Sequence, residues 1–213
     1  MPTKQKARTP AVHTPHPENQ LGLERLIFFS DAVFAIAITL LVLEIRLPTS
    51  EGPATNAELL ARLLSIWPHY LGYVLSFLVI GTFWMGHHRK YGLIQRYDGN
   101  LLLLNLLMLM WIAFIPFPTA LISEYGNRTA TIFYALTIAA TGVMSATNWW
   151  YAAYHNRLVN DQLSARLRRR ELLKPLLISA LFLCSVGVAF IDDDWAKFSW
   201  LLMIPIIYFV RRS

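Results

Sequence analysis

The chain has 213 residues, 55% of them hydrophobic and only 15% charged, where a soluble domain carries about a quarter charged residues. That balance excludes an ordinary soluble globular domain. The formal net charge of +6 would raise the question of nucleic acid in a soluble protein; in a membrane protein it belongs to basic loops on the cytoplasmic side, and no nucleic-acid partner is expected.

In chain order, residues 1–22 read as a flexible cytoplasmic tail. They carry prolines and scattered basic residues but no apolar run, unlike a secretory signal peptide. His13 and His16 lie in this Pro-rich stretch as bystanders. Residues 23–213 form one transmembrane domain, with apolar runs at 26–47, 66–86, 100–122, 130–154, 173–191 and 195–210. Crossing roughly 30 Å of hydrocarbon takes about 20 apolar residues. No period-two alternation supports a barrel, so the expected fold is all-α with six transmembrane helices per subunit. The sixth run is the shortest and holds Pro205.

The loops set the orientation. With the N-terminus inside, Arg25, Arg89, Lys90, Arg96, Arg157, the run Arg166 to Arg170, Lys174, Arg211 and Arg212 all gather on one side. Arg46, Arg62, Arg128 and Lys197 are left on the other. Lys and Arg concentrate on the cytoplasmic side of short loops, so both termini are expected there, in a multi-pass protein of the plasma membrane. The outer segments hold Glu44, Glu51, Glu58, Glu124 and Asp192 to Asp194. Trp67 and Tyr70 at the start of span two, and Trp149 to Tyr151 with Tyr154 at the end of span four, suit the headgroup level.

Span one departs from the rest. It contains Arg25, Ser30, Asp31, Thr39 and Glu44 among small residues such as Ala32, Ala35 and Ala37. Charges at membrane depth cost a few kcal/mol unless paired or wetted, and small residues let helices approach closely, so this helix is expected to be surrounded by others. At about 100° per residue, Ile36, Leu40 and Leu43 form one aliphatic stripe with Thr39 beside it. Such a stripe is an ordinary packing seam or, repeated around a symmetry axis, a stack of hydrophobic rings that gate by dewetting. Asp31 points roughly 140° away from Ile36, toward neighbouring helices. His87, His88 and Arg89 of span two reach the same depth as Arg25 and Asp31, which predicts an ion-pair and hydrogen-bond network.

The combination Arg25-x-x-x-Phe29-Ser30-Asp31, followed by Ala35-Ile36 and Thr39-Leu40, resembles the RxxxFSD signature of the transmembrane-protein-175 family of potassium channels in its single-repeat prokaryotic form. Trp84, His87 and His88 of span two fit the same resemblance. It implies a potassium-permeable channel and no enzyme, with no cofactor beyond the permeant potassium ion. It also implies a homotetramer whose first helix lines a central pore. By position, Ile36 matches the family's narrowest ring, Leu40 and Leu43 its further hydrophobic rings, and Thr39 the layer linked to selectivity. Arg25, Phe29, Ser30, Asp31, Trp84, His87 and His88 then support the pore helix. A TVGYG filter is absent from the sequence, since Thr141-Gly142-Val143 runs on into Met144.

Other readings rest on fewer residues. His69, His87, His88 and His155 invite a haem or metal site, but their spacing spreads them over different faces and depths. Thr137, Thr141, Ser145 and Asn148 form a polar stripe on span four that would suit a secondary transporter, though such residues more often join helices. Asn105, Pro116 and Pro118 mark a hinge or the outer end of span three. Membrane lipids are the remaining expected partner; Arg166 to Arg170 could meet anionic headgroups, but the positive-inside pattern already accounts for them.

Overall fold

The computed structural model describes residues 17–48 and 55–202. Its elements are α1 (Pro17–Leu40), α2 (Asn56–Ser65), α3 (Trp67–Tyr91), α4 (Gly99–Phe114), α5 (Pro116–Tyr125), α6 (Arg128–Ala153), α7 (Ala165–Ala189) and α8 (Asp193–Ser199), with short 3-10 pieces at Leu41–Glu44, Tyr154–Asn156 and Trp200–Leu202. Among the described residues, five stretches are long and apolar enough to cross a membrane: Gln20–Glu44, Trp67–Tyr91, Gly99–Tyr125, Arg128–Asn156 and Ala165–Ala189. Of the sixth expected span, 195–210, only the part within α8 and Trp200–Leu202 is described, and 203–210 lies outside the described residues. Residues 1–16 of the expected tail lie outside them too, and α1 already begins at Pro17.

Side chains set most helix starts. Asp98, Asn127 and Ser164 accept from the backbone N–H groups of Leu101 (2.8 Å), Ala130 (3.0 Å) and Leu167 (3.3 Å), opening α4, α6 and α7. Span three is two helices end to end, because Pro116 begins α5 where its missing N–H costs least. Gly126, at φ 58°, closes α5 in a left-handed conformation that favours glycine.

Three helices depart from the apolar pattern. α3 continues past residue 86 through His87 to Tyr91, and α7 starts at Ala165 rather than 173, with Arg166 to Arg170 on its first turns. Hydropathy marks where a helix leaves hydrocarbon, while the backbone ladder continues until a cap or breaker stops it. The third departure is α2, amphipathic and lying between spans one and two. Thr55 and Glu58 form its capping box, the Thr55 N–H donating to Glu58 at 2.8 Å and the Glu58 N–H to the Thr55 hydroxyl at 3.3 Å.

Buried side chains form two clusters. One holds Phe34, Leu41, Ile80, Ile112, Tyr134, Phe182 and Trp200. The other, nearer the chain's basic loops, holds Leu23, Leu26, Tyr91, Leu101, Trp149 and Val159. Trp200 lies 5.4 Å from the Phe182 ring and donates its indole N–H to Ser185 Oγ at 2.8 Å, which docks the end of the described chain on α7. α6 and α7 are the most extensively packed helix pair among the described residues, and Gly142 there faces Ser179 and the Pro175 carbonyl with no room for a Cβ.

The first helix and its supports

α1 divides into two faces. Leu23, Leu26, Ser30, Phe34, Ala37 and Leu41 are buried against the rest of the chain. Ile36 is 57% exposed, Leu40 40% and Leu43 60%, and Thr39 is exposed beside them. The 3-10 piece Leu41–Glu44 brings Leu43 almost directly above Leu40, since residues three apart eclipse in that helix type. The Thr39 hydroxyl donates its proton to the Ile36 carbonyl at 2.9 Å. Its oxygen is thereby left as an acceptor on the open side of the helix.

The buried face is held by directed hydrogen bonds. Ser30 Oγ donates to the Leu26 carbonyl at 2.8 Å, and Asn105 Nδ2 of α4 donates to Ser30 Oγ at 2.9 Å. His87 Nε2 of α3 lies 3.0 Å from Asn105 Oδ1. A carbonyl oxygen only accepts, so Nε2 is the donor. The ring of His87 then stacks on Tyr91 at 4.0 Å and tilts against Phe34 at 5.5 Å. Three helices thus meet at one buried polar chain, where an unpaired group is costly. Asn105, which the sequence offered only as part of a hinge or of the outer end of span three, is its central member. Its signal was present as a lone carboxamide in a leucine-rich run, the kind of residue that joins helices at membrane depth.

Asp31 is bound separately. Trp84 Nε1 donates to Asp31 Oδ1 at 2.9 Å. The carboxylate was expected to pair with a cation, and here its partner is an indole N–H. The cations go elsewhere: Arg89 lies 3.8 Å from Glu171 of α7, and Arg25 is exposed on α1. A turn of α3 explains this, because Trp84 reaches α1 while Arg89, five positions on, faces α7. His88 is exposed, with its ring 5.9 Å from Trp84, and Phe29 is 50% exposed on the same side of α1 as Arg25.

The remaining histidines among the described residues do not converge. His69 lies 3.4 Å from Glu124, and His155 packs edge-on to Tyr154 at 4.3 Å. The polar stripe of α6 is buried and used within the bundle. Thr137 and Thr141 donate to carbonyls of their own helix, Ser145 accepts from Lys90 Nζ at 2.7 Å, and Asn148 meets the Tyr91 hydroxyl at 3.4 Å.

Residues 25–116 match the family model described as the endosomal/lysosomal potassium channel TMEM175. A potassium channel of Streptomyces collinus is 38% identical over 173 residues, covering 79% of this chain and 82% of that protein. One of Chamaesiphon minutus is 38% identical over 194 residues, covering 89% and 94%. The chain also superposes on the crystal structure of a lysosomal potassium-selective channel TMEM175 homolog from Chamaesiphon minutus, with TM-score 0.76, 34% identity and coverage of 91% of this chain and 98% of that one. The RxxxFSD residues open the matched segment, the helices follow the same course, and this membrane-embedded chain belongs to the TMEM175 channel family.

Proposed function

We propose that this protein is a potassium-permeable cation channel of the plasma membrane, a homotetramer with both termini cytoplasmic and α1 lining the central pore. The observation that carries the reading is the asymmetry of α1. A helix fastened to its own subunit by Ser30 and Asp31 nevertheless leaves Ile36, Thr39, Leu40 and Leu43 open along one side. Lipid would accept the aliphatics but has no use for a hydroxyl whose oxygen is presented outward. Four such faces around an axis make rings: Ile36 the narrowest, Leu40 and Leu43 above it, and Thr39 as a layer of oxygens.

In this mechanism the aliphatic rings keep the closed constriction dry. Permeation requires them to part far enough for water to enter with the ion. Thr39 then supplies oxygens in place of part of the hydration shell. Arg25, Phe29, Ser30, Asp31, Trp84, His87 and His88 act around the pore helix, and the Asp31 and Ser30 bonds keep its rotation constant. No TVGYG segment is needed for this scheme. The test is a planar-bilayer recording of the purified protein under potassium/sodium bi-ionic conditions. Unitary currents that reverse toward the potassium equilibrium potential support it. Slow, saturable flux without unitary events would point to a transporter instead.

A further inference from the structure

A cavity of about 370 Å³ lies between the end of α3, the middle of α6 and the first half of α7. Arg89, Lys90, Arg170 and Lys174 line it together with a single carboxylate, Glu171. At this depth an excess of cations calls for an anion, because charge leaving water must be compensated close by. Lys90 is buried and directs two hydrogen bonds at Ser145, to the carbonyl at 3.1 Å and the hydroxyl at 2.7 Å. An ammonium has three N–H donors, so a third remains.

Glu171 supplies the second observation. It is 3% exposed; one carboxylate oxygen accepts from Lys174, while Oε2 is buried with no hydrogen-bond partner. Arg89 Nε, at 3.8 Å from it, is beyond hydrogen-bond reach. A buried acceptor in this position fits a ligand that brings a donor next to its negative charge. Phe83, Met85 and Ile178 give the cavity apolar walls as well. Arg89 and Lys90 fall in the last turn of α3, and Arg170 to Lys174 lie near the start of α7, the depth of lipid headgroups.

We propose that this cavity binds the headgroup of an anionic phosphodiester lipid that carries a hydroxyl, as a glycerol-headed lipid does. The phosphate sits among Arg89, Lys90 and Arg170, the hydroxyl donates to Glu171 Oε2, and the glycerol backbone lies against the apolar walls. The basic run of α7 is then more than an orientation signal, since two of its faces differ: Arg170 lines the cavity while Arg166 and Arg169 are exposed.

The test is lipid retention by the purified full-length channel in neutral detergent, read by native mass spectrometry. Phosphatidylglycerol should be retained over phosphatidylcholine. It should also be retained over phosphatidylmethanol, which has the same charge but no headgroup hydroxyl, by roughly threefold to tenfold, the worth of one hydrogen bond. The double variant Arg89→Gln/Arg170→Gln should lose about tenfold in retention, while Arg166→Gln/Arg169→Gln, with the same loss of charge, should stay near wild type. Equal losses in both double variants would reduce the effect to surface attraction and overturn the site. Equal retention of phosphatidylmethanol on the unmodified protein, which depends on no variant folding, would overturn the role of Glu171. Displacement by millimolar inorganic phosphate would assign the cavity to the free anion and overturn the headgroup assignment.

Discussion

Trp84 and Asp31, 53 positions apart in the chain, share one hydrogen bond of 2.9 Å that ties α3 to α1. It sets how α1 is rotated, because Asp31 can reach Trp84 only when Ile36 and Leu40 face away from the bundle. Asp31→Ala and Trp84→Phe should therefore show the same defect. Each is expected to lower the thermal unfolding temperature of the detergent-solubilised protein, by the equivalent of about 1–3 kcal/mol. The fraction eluting as the proposed tetramer on size-exclusion chromatography should fall before selectivity changes. A stable Asp31→Ala assembly with altered ion preference would place the carboxylate in the permeation path.

Asn105 is the second joint. Asn105→Leu removes the donor to Ser30 and the acceptor for His87 together; His87 Nε2 is left buried without a partner, while Ser30 Oγ keeps its bond to the Leu26 carbonyl. The expected cost is about 2–4 kcal/mol. Adding Ser30→Ala should cost less than the two single effects combined, since both act in one hydrogen-bonded chain. Urea or thermal unfolding of the single and double variants measures this coupling directly.

Ile36→Asn should raise the resting current, because a polar ring wets a constriction that an aliphatic ring keeps dry. Single-channel recording checks it. Conductance and open probability equal to those of the unmodified protein would remove α1 from the pore.

Thr39→Val is nearly isosteric and deletes only the hydroxyl, whereas Thr39→Ser retains it. The valine variant should shift the bi-ionic reversal potential toward zero, with assembly intact, and the serine variant should not. A shift in both would mean that the methyl group, through packing, matters more than the oxygen.

The pH dependence of α2 follows from its capping box. The Thr55 N–H, and then its hydroxyl, bond the Glu58 carboxylate and hold it below the usual carboxylate range. A group lowered on folding contributes stability above its unfolded pKa and loses it as pH falls through the folded value. Hydrogen exchange of the α2 amides, corrected for intrinsic rates, should therefore accelerate in mildly to strongly acidic solution and stay flat near neutrality. Thr55→Ala, which deletes the hydroxyl but keeps the N–H, should weaken that dependence, and Glu58→Gln should abolish it.

Much was legible in the sequence because the bilayer restricts what a chain can do. Long apolar runs had to become helices, and the RxxxFSD residues stood out because polar side chains are rare at that depth. The stripe of Ile36, Thr39, Leu40 and Leu43 followed from helical periodicity alone. Pairing was not legible in the same way. Sequence places His87, Trp84, Arg89 and Asp31 at one depth, but each residue's azimuth around its helix, and the helix it then meets, decides that Asp31 receives an indole N–H and Arg89 turns toward Glu171. Local capping chemistry separated α2 from its loop and opened α7 ahead of its apolar core, while the backbone ladder of α3 ran on past its apolar core to Gly92. The polar joint at Asn105 and the cavity around Glu171 depend on contacts between residues more than fifty positions apart, such as Asn105 with Ser30 and Lys90 with Ser145. Hydropathy is a sum over neighbours along the chain, whereas these contacts are made between helices, and only the packing of one helix against another brings them into being.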